Sequence, residues 1–185
     1  YLRKLQAIDP EIIIATGHPP GNATIVRQSI ELGLKRPIIG PWYPTEFMVD
    51  RVGELMFGRL VDYSCVDFEN AAYQSLAAKY HAQTKRLLDN NALSGYAIVK
   101  MVAASIASGK SADPKAVAQA LHAGRFQIDG YAWPLSYTEW GEMKESAPIL
   151  YTYEKVPAGK MNPTAAWRPK VVFRSKTAQP YVPGE

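Results

Sequence analysis

The chain has 185 residues, 47% of them hydrophobic and 21% charged, with a net charge of +4 from 21 basic and 17 acidic side chains. That is an ordinary globular composition, long enough for one large domain or two small lobes. A single cysteine, Cys65, excludes an internal disulfide and a multi-cysteine metal site, and leaves the compartment open.

The first residues, Tyr1 to Ile8, read as the last turns of a helix with Leu2, Leu5 and Ile8 on one side. A domain that opens inside a helix is expected to be a fragment of a longer protein. Glu11 to Thr16 is a short apolar run without alternation, which reads as a strand buried on both faces. Asn22 to Leu32 reads as a helix with Asn22 as its cap, Val26 and Ile30 on one face, and Gly33 as its stop. Arg36 to Gly40 is a second strand whose proline sits where a missing donor matters least. Strand, helix and strand form a βαβ unit with parallel strands.

In such a unit the loops after the strands leave by the same sheet edge, and ligands of open α/β sheets bind there. The two loops are Thr16 to Gly21 and Gly40 to Pro44. Neighbouring strands lie about 5 Å apart, so His18 with Pro19, and Trp42 with Tyr43, are the candidate site. The alternative is that Trp42 and Tyr43 cover a sheet edge while His18 is a solvated loop residue.

Downstream, Thr45 is the cap of a helix to about Phe57, and Arg59 to Ser64 is a third strand. Cys65 to Glu69 is a connector. Asn70 to Leu88 reads as a long helix with Tyr73, Leu76, Ala77, Tyr80 and Leu87 near the 3.6 period, interrupted by Asp89-Asn90-Asn91. An alanine-rich helix follows from Leu93 to Ser108. Asp113 and Pro114 open another to His122. Three helices in a row break the earlier rhythm and point to two structural environments.

After the Asp129-Gly130 turn come an aromatic stretch, a strand over Ile149 to Lys155, a turn at Pro157 to Lys160 and a strand over residues 171 to 174. The tail from Thr177 is expected to wander over the surface. Arg168, Lys170, Arg174 and Lys176 mostly alternate opposite Val171 and Phe173, which reads as a solvated strand face rather than a nucleic-acid patch. No stretch reads as a membrane span, and nothing resembles a signal peptide.

Catalytic signatures are missing from the sequence. There is no Ser/His/Asp order, Gly-Xaa-Ser-Xaa-Gly elbow or phosphate-binding glycine loop, and no cofactor is implied. The prolines after His18 remove the amide donors that a phosphate cradle needs. His18, His81 and His122 do not fall at metal-ligand spacing.

Ile8 to Gly17, Ile25 to Gln28 and Glu31 to Gly40 resemble the middle of one family. So do Ser94 to Val99, Ser111 to Val117 with Ala120, Leu121, Gly124, Arg125 and Phe126, and the glycine at position 130. That family is the periplasmic solute-binding proteins of ABC importers for branched-chain amino acids and related small acids. Each motif alone is weak; their order and spacing over the whole chain are more specific.

The resemblance implies a type I periplasmic binding protein fold, two α/β lobes of three layers closing over a ligand, with only part of the protein in this chain. Residues 1–64 would belong to the second lobe, 70–126 to an excursion into the first, and 132–185 to the return, with hinge crossings at 65–69 and 127–131. It implies a periplasmic binding component that works with a membrane-embedded ABC permease, with no nucleic acid, no direct membrane insertion and no enzyme activity. A ligand-sensing module on the same scaffold, or an α/β enzyme with catalytic residues upstream, are the alternatives.

In the family the first loop carries an aromatic residue, where this chain has His18. The second carries a carboxylate after Gly-Pro in amino acid binders, where this chain has Trp42. Glu46, four residues on, is a poor direct substitute. This departure argues against an ordinary α-amino acid. An indole wall with an imidazole donor suits an aromatic or apolar carboxylic acid; a soft cation over the Trp42 face is the other option. Asn91 and Tyr96 would border the cleft, although Tyr96 reads equally well as a core residue.

Overall fold

The structure, a computed structural model, describes residues 1–40, 48, 51–155, 167–176 and 179–180. In chain order the elements are α1 (Leu2–Ile8), β1 (Ile13–Ile14), α2 (Pro19–Glu31), β2 (Ile38–Gly40), a 3-10 turn (Gly53–Met56), β3 (Leu60–Ser64) and α3 (Ala71–Thr84). There follow α4 (Asn90–Gly109), α5 (Pro114–Ala123), β4 (Glu145–Ser146), β5 (Ile149–Lys155), β6 (Trp167–Arg174) and β7 (Gln179–Pro180).

The main sheet has the order β1-β2-β3-β5-β6. Its first three strands are parallel, with Ile13 opposite Ile38 and Ile38 opposite Leu60. β5 and β6 join antiparallel, with Asp62 opposite Tyr151. The predicted βαβ unit is therefore present, and its loops leave by one edge. Val26, Ile38 and Leu60 are fully buried at its centre, each worth roughly 1.5–3 kcal/mol against exposure.

Several local expectations are corrected. The first strand is not buried on both faces: Ile13 and Ala15 are buried, but Ile14 is 71% exposed, because β1 is the edge of the described sheet. α2 starts at Pro19 rather than Asn22, with His18 at the N-cap. Proline at the first helical positions costs no intrahelical bond and presets φ, so the helix begins a turn early and Asn22 falls inside it. The long helix ends at Thr84, where Lys85 takes the left-handed conformation with φ 61°. Asp89 does not merely interrupt: its Oδ1 accepts from the Ala92 amide at 2.9 Å and caps α4. Asp113 caps α5 as expected, accepting from Lys115 and Ala116. The tail does not simply wander, since Gln179 and Pro180 pair with Ser146 and Glu145. Of the helix expected from Thr45 to Phe57, Met48, Arg51 and Val52 are helical and the stretch ends in the 3-10 turn Gly53–Met56, while its start lies outside the described residues, as does the turn at Pro157.

The reading that no stretch is long and apolar enough for a membrane span also needs correction. By length and composition α4, 20 residues long, reaches that threshold. One face packs inward through Leu93, Ala97, Met101 and Ser105, while Ile98, Val99 and Ile106 are exposed on the other.

Two connectors run side by side between the sheet and the helices. The Asp67 amide donates to the Gly130 carbonyl at 3.0 Å, and the Ala132 amide donates to Cys65 at 3.2 Å. Between sheet and helices sits Phe68, whose ring meets Tyr73 of α3 and Tyr151 of β5 edge-on, each at 5.0 Å between centroids. Gly130 has φ 94°, and a Cβ there would stand 3.1 Å from Leu93 and 3.2 Å from Tyr73. Both the backbone conformation and the close approach favour glycine.

Candidate functional site

The site is built on the carboxyl ends of β1, β2 and β3. After β1 the chain turns at Gly17 into α2. Asn22, fully buried in the first turn of that helix, donates from Nδ2 to the Gly17 carbonyl at 2.7 Å. The backbone of His18 accepts from the Asn22 amide at 2.9 Å. These bonds fix the loop and leave His18 exposed at the start of α2. Pro19 follows as the first helical residue. Gly40 ends β2, opposite Asp62 of β3. Trp42 and Tyr43, predicted to share the site with His18, lie outside the described residues.

Beyond β3 lies a cavity of about 240 Å³ lined by Tyr63, Ser64, Cys65, Val66, Asn90, Ser94 and Tyr131. Its polar groups bond to one another. Ser64 Oγ accepts from the Val66 amide at 2.9 Å and donates to Asn90 Oδ1 at 3.5 Å. Ser94 Oγ donates to the Asn90 carbonyl at 2.8 Å and lies 3.5 Å from the Tyr131 hydroxyl. Among the described residues the lining offers hydroxyls, an amide, a thiol and ring faces, and no acidic or basic side chain. Such a wall receives an uncharged polar or apolar part of a ligand.

In the same strand, two residues before Ser64, Asp62 is fully buried, and Tyr153 donates to its Oδ2 at 3.3 Å. Burial first, and the Asp62 charge second, push the phenols of Tyr151 and Tyr153 far above the ordinary tyrosine range. Both phenols remain protonated at physiological pH.

Of the other predicted residues, Asn91 is exposed and does not line the cavity, whereas its neighbour Asn90 does. Tyr96 is half-buried and packs against both hydrophobic clusters. Asn90, Ser64, Ser94 and Tyr131 were not singled out from the sequence. A signal for Asn90 was available: it stands three, seven and eleven residues before Leu93, Ala97 and Met101, on the buried stripe of α4.

A larger cavity, about 690 Å³, lies between α1, α2 and β1, with Leu2, Leu5, Ile14, Ile25 and Leu32 among its lining. It is the open side of the edge strand, away from the ends of the parallel strands. Its lining also carries Arg3, Gln28 and Glu31, but it does not lie beyond the carboxyl ends of the parallel strands, where ligands of open α/β sheets bind, so it is not preferred.

The fold recurs in solved structures. A leucine-, isoleucine-, valine-, threonine- and alanine-binding protein from Brucella ovis, in its closed conformation, matches 94% of this chain with a TM-score of 0.77 at 10% identity. This chain has the type I periplasmic binding protein fold. A fatty acid ABC transporter substrate-binding protein from Thermomonospora curvata shares this periplasmic binding fold over 97% of the chain, with a TM-score of 0.74 at 15% identity. A solute-binding protein of an ABC transporter from R. palustris, in complex with benzoate, shares it over 97%, with a TM-score of 0.71 at 16% identity. The chain spans less than half of each: 45%, 46% and 47% of their lengths respectively. No protein-family model and no curated protein matches this chain. Within the periplasmic binding fold, the ends of β1–β3 and the paired connectors frame the candidate site.

Proposed function

We propose that this chain is part of the solute-binding component of an ABC importer, and that it captures an aromatic or apolar carboxylic acid between two lobes. The observation that carries this reading is the likeness to solved binding proteins over 94–97% of the chain in the three structures above. On this reading residues 65–69 and 127–131 are the hinge, the importer's permease is the partner, and the protein works in the periplasm without catalysing a reaction. The exposed Ile98, Val99 and Ile106 of α4 then face the half of the protein that this chain does not span.

The acid preference rests on three features. The carboxylate that would pair an amino group after Gly40-Pro41 is replaced by Trp42. His18 stands exposed just beyond β1, where its ring can donate to a carboxylate. Among the described residues the cavity beyond β3 has no charged side chain, which suits the remainder of the molecule. A thermal-shift screen of the intact protein against benzoate, octanoate and isoleucine tests this. Benzoate or octanoate should raise the melting temperature by several degrees and isoleucine should not. Stabilisation by isoleucine alone would overturn the ligand class, and turnover of a bound acid would overturn the binding-protein reading.

A further inference from the structure

The two connectors are held to each other by backbone bonds, and the first is also gripped by the sheet. The turn 67–70 closes through Asn70 N to Asp67 O at 3.1 Å. Within it, Asp67 Oδ1 accepts from the Glu69 amide at 3.1 Å. Arg174, near the end of β6, donates from Nη2 to the same Asp67 oxygen at 3.0 Å and to Glu69 Oε2 at 3.3 Å. Glu69 Oε1 accepts from the Val171 amide of the same strand at 3.4 Å. The Asp67 side chain is only 11% exposed, so this contact is better shielded from water than an ordinary surface pair. The other cations of β6 act differently: Arg168 and Lys170 pair with Glu154 of the adjacent strand and do not reach the connector.

We propose that Arg174 is a positioning residue that clasps the first connector through Asp67 and Glu69 and thereby sets how freely the two lobes move. This rests on the hinge reading above. Any rotation about residues 65–69 must move the turn that Arg174 holds against β6. The same turn carries Phe68, packed between Tyr73 and Tyr151, and the Asp67 amide bonded to the second connector. Loosening one carboxylate contact therefore frees both connectors, although Arg174 belongs to neither. Affinity then depends on a residue that does not line the cavity.

The test is hydrogen exchange on the intact protein, read at the Asp67 and Ala132 amides, with X-ray scattering of the unliganded protein alongside. Arg174→Met should speed exchange at both amides at least about fivefold and change the radius of gyration. Arg174→Lys, which keeps the charge, should recover part of the protection. Glu69→Gln, at an exposed carboxylate, gives a smaller effect of the same sign should Arg174→Met fail to fold. Arg168→Met, on the same strand, should leave both amides unchanged. Unchanged exchange in Arg174→Met and Glu69→Gln overturns the clasp. Faster exchange with unchanged scattering overturns its role in lobe movement, while the importer reading stands or falls on the ligand screen.

Discussion

Gly17→Ala is a sharp test of how the first loop is held. A Cβ at position 17 would lie 2.8 Å from Asn22 Oδ1, inside any ordinary contact distance. Asn22 is fully buried, so its amide cannot swing into solvent, and the same amide donates to the Gly17 carbonyl at 2.7 Å. The added methyl thus displaces the group that fixes the loop. Losing that buried hydrogen bond costs about 1–3 kcal/mol. Replacing glycine returns about 0.4–1 kcal/mol by restricting the unfolded chain. The net expectation is a loss of about 1–2 kcal/mol, which for a chain of this size lowers the melting temperature by roughly 2–8 °C. Asn22→Ala removes both the bond and the obstacle. In that background Gly17→Ala should be neutral or slightly stabilising, so the two changes couple by about 1–3 kcal/mol. Urea unfolding of the four variants measures this directly. An equal cost for Gly17→Ala in both backgrounds would refute the reasoning.

Other outcomes follow from the same contacts. Phe68→Ala removes a buried ring that meets Tyr73 and Tyr151 edge-on, and should destabilise by about 3–5 kcal/mol in denaturant unfolding. The Arg168 side chain donates to Glu154 and holds its carboxyl below the ordinary range. A carboxyl depressed in the folded state contributes stability present above its unfolded pKa and lost as pH falls through the folded one. Arg168→Met should therefore move the NMR titration of Glu154 upward, toward the ordinary glutamate value, and flatten this part of the acid-side decline. In the intact protein Trp42→Ala should weaken acid binding by about 1–3 kcal/mol in calorimetry, the scale of one buried apolar side chain.

The fold was legible where local rules and packing agree. The βαβ unit was readable because Ile13 and Ile38 sit in short apolar runs and Val26 and Ile30 fall four apart on one helix face, and the later helix from Pro114 because Asp113-Pro114 is a clear helix start. Errors arose where a neighbour decides. Asn22 looks like a cap until His18 and the prolines begin the helix earlier and turn its side chain inward. Ile14 looks buried until its strand proves to be an edge. Arg174 read as one more solvated cation, because nothing in sequence says that Asp67 and Glu69, more than a hundred residues earlier, meet it. The site shows the same division. His18 and Gly40 follow from strand ends, while Asn90, Ser94 and Tyr131 come together only through the paired connectors.

The most direct measurement uses the single cysteine. Cys65 lines the cavity beyond β3, at the edge where the ligand should sit. The rate of its alkylation by iodoacetamide is followed in the intact protein with and without a saturating acid identified by the thermal-shift screen. Binding between the lobes should slow the reaction at least about tenfold, and octanoate or benzoate titration should give the same midpoint as calorimetry. Stoichiometric binding with an unchanged alkylation rate would put the ligand elsewhere and contradict the account.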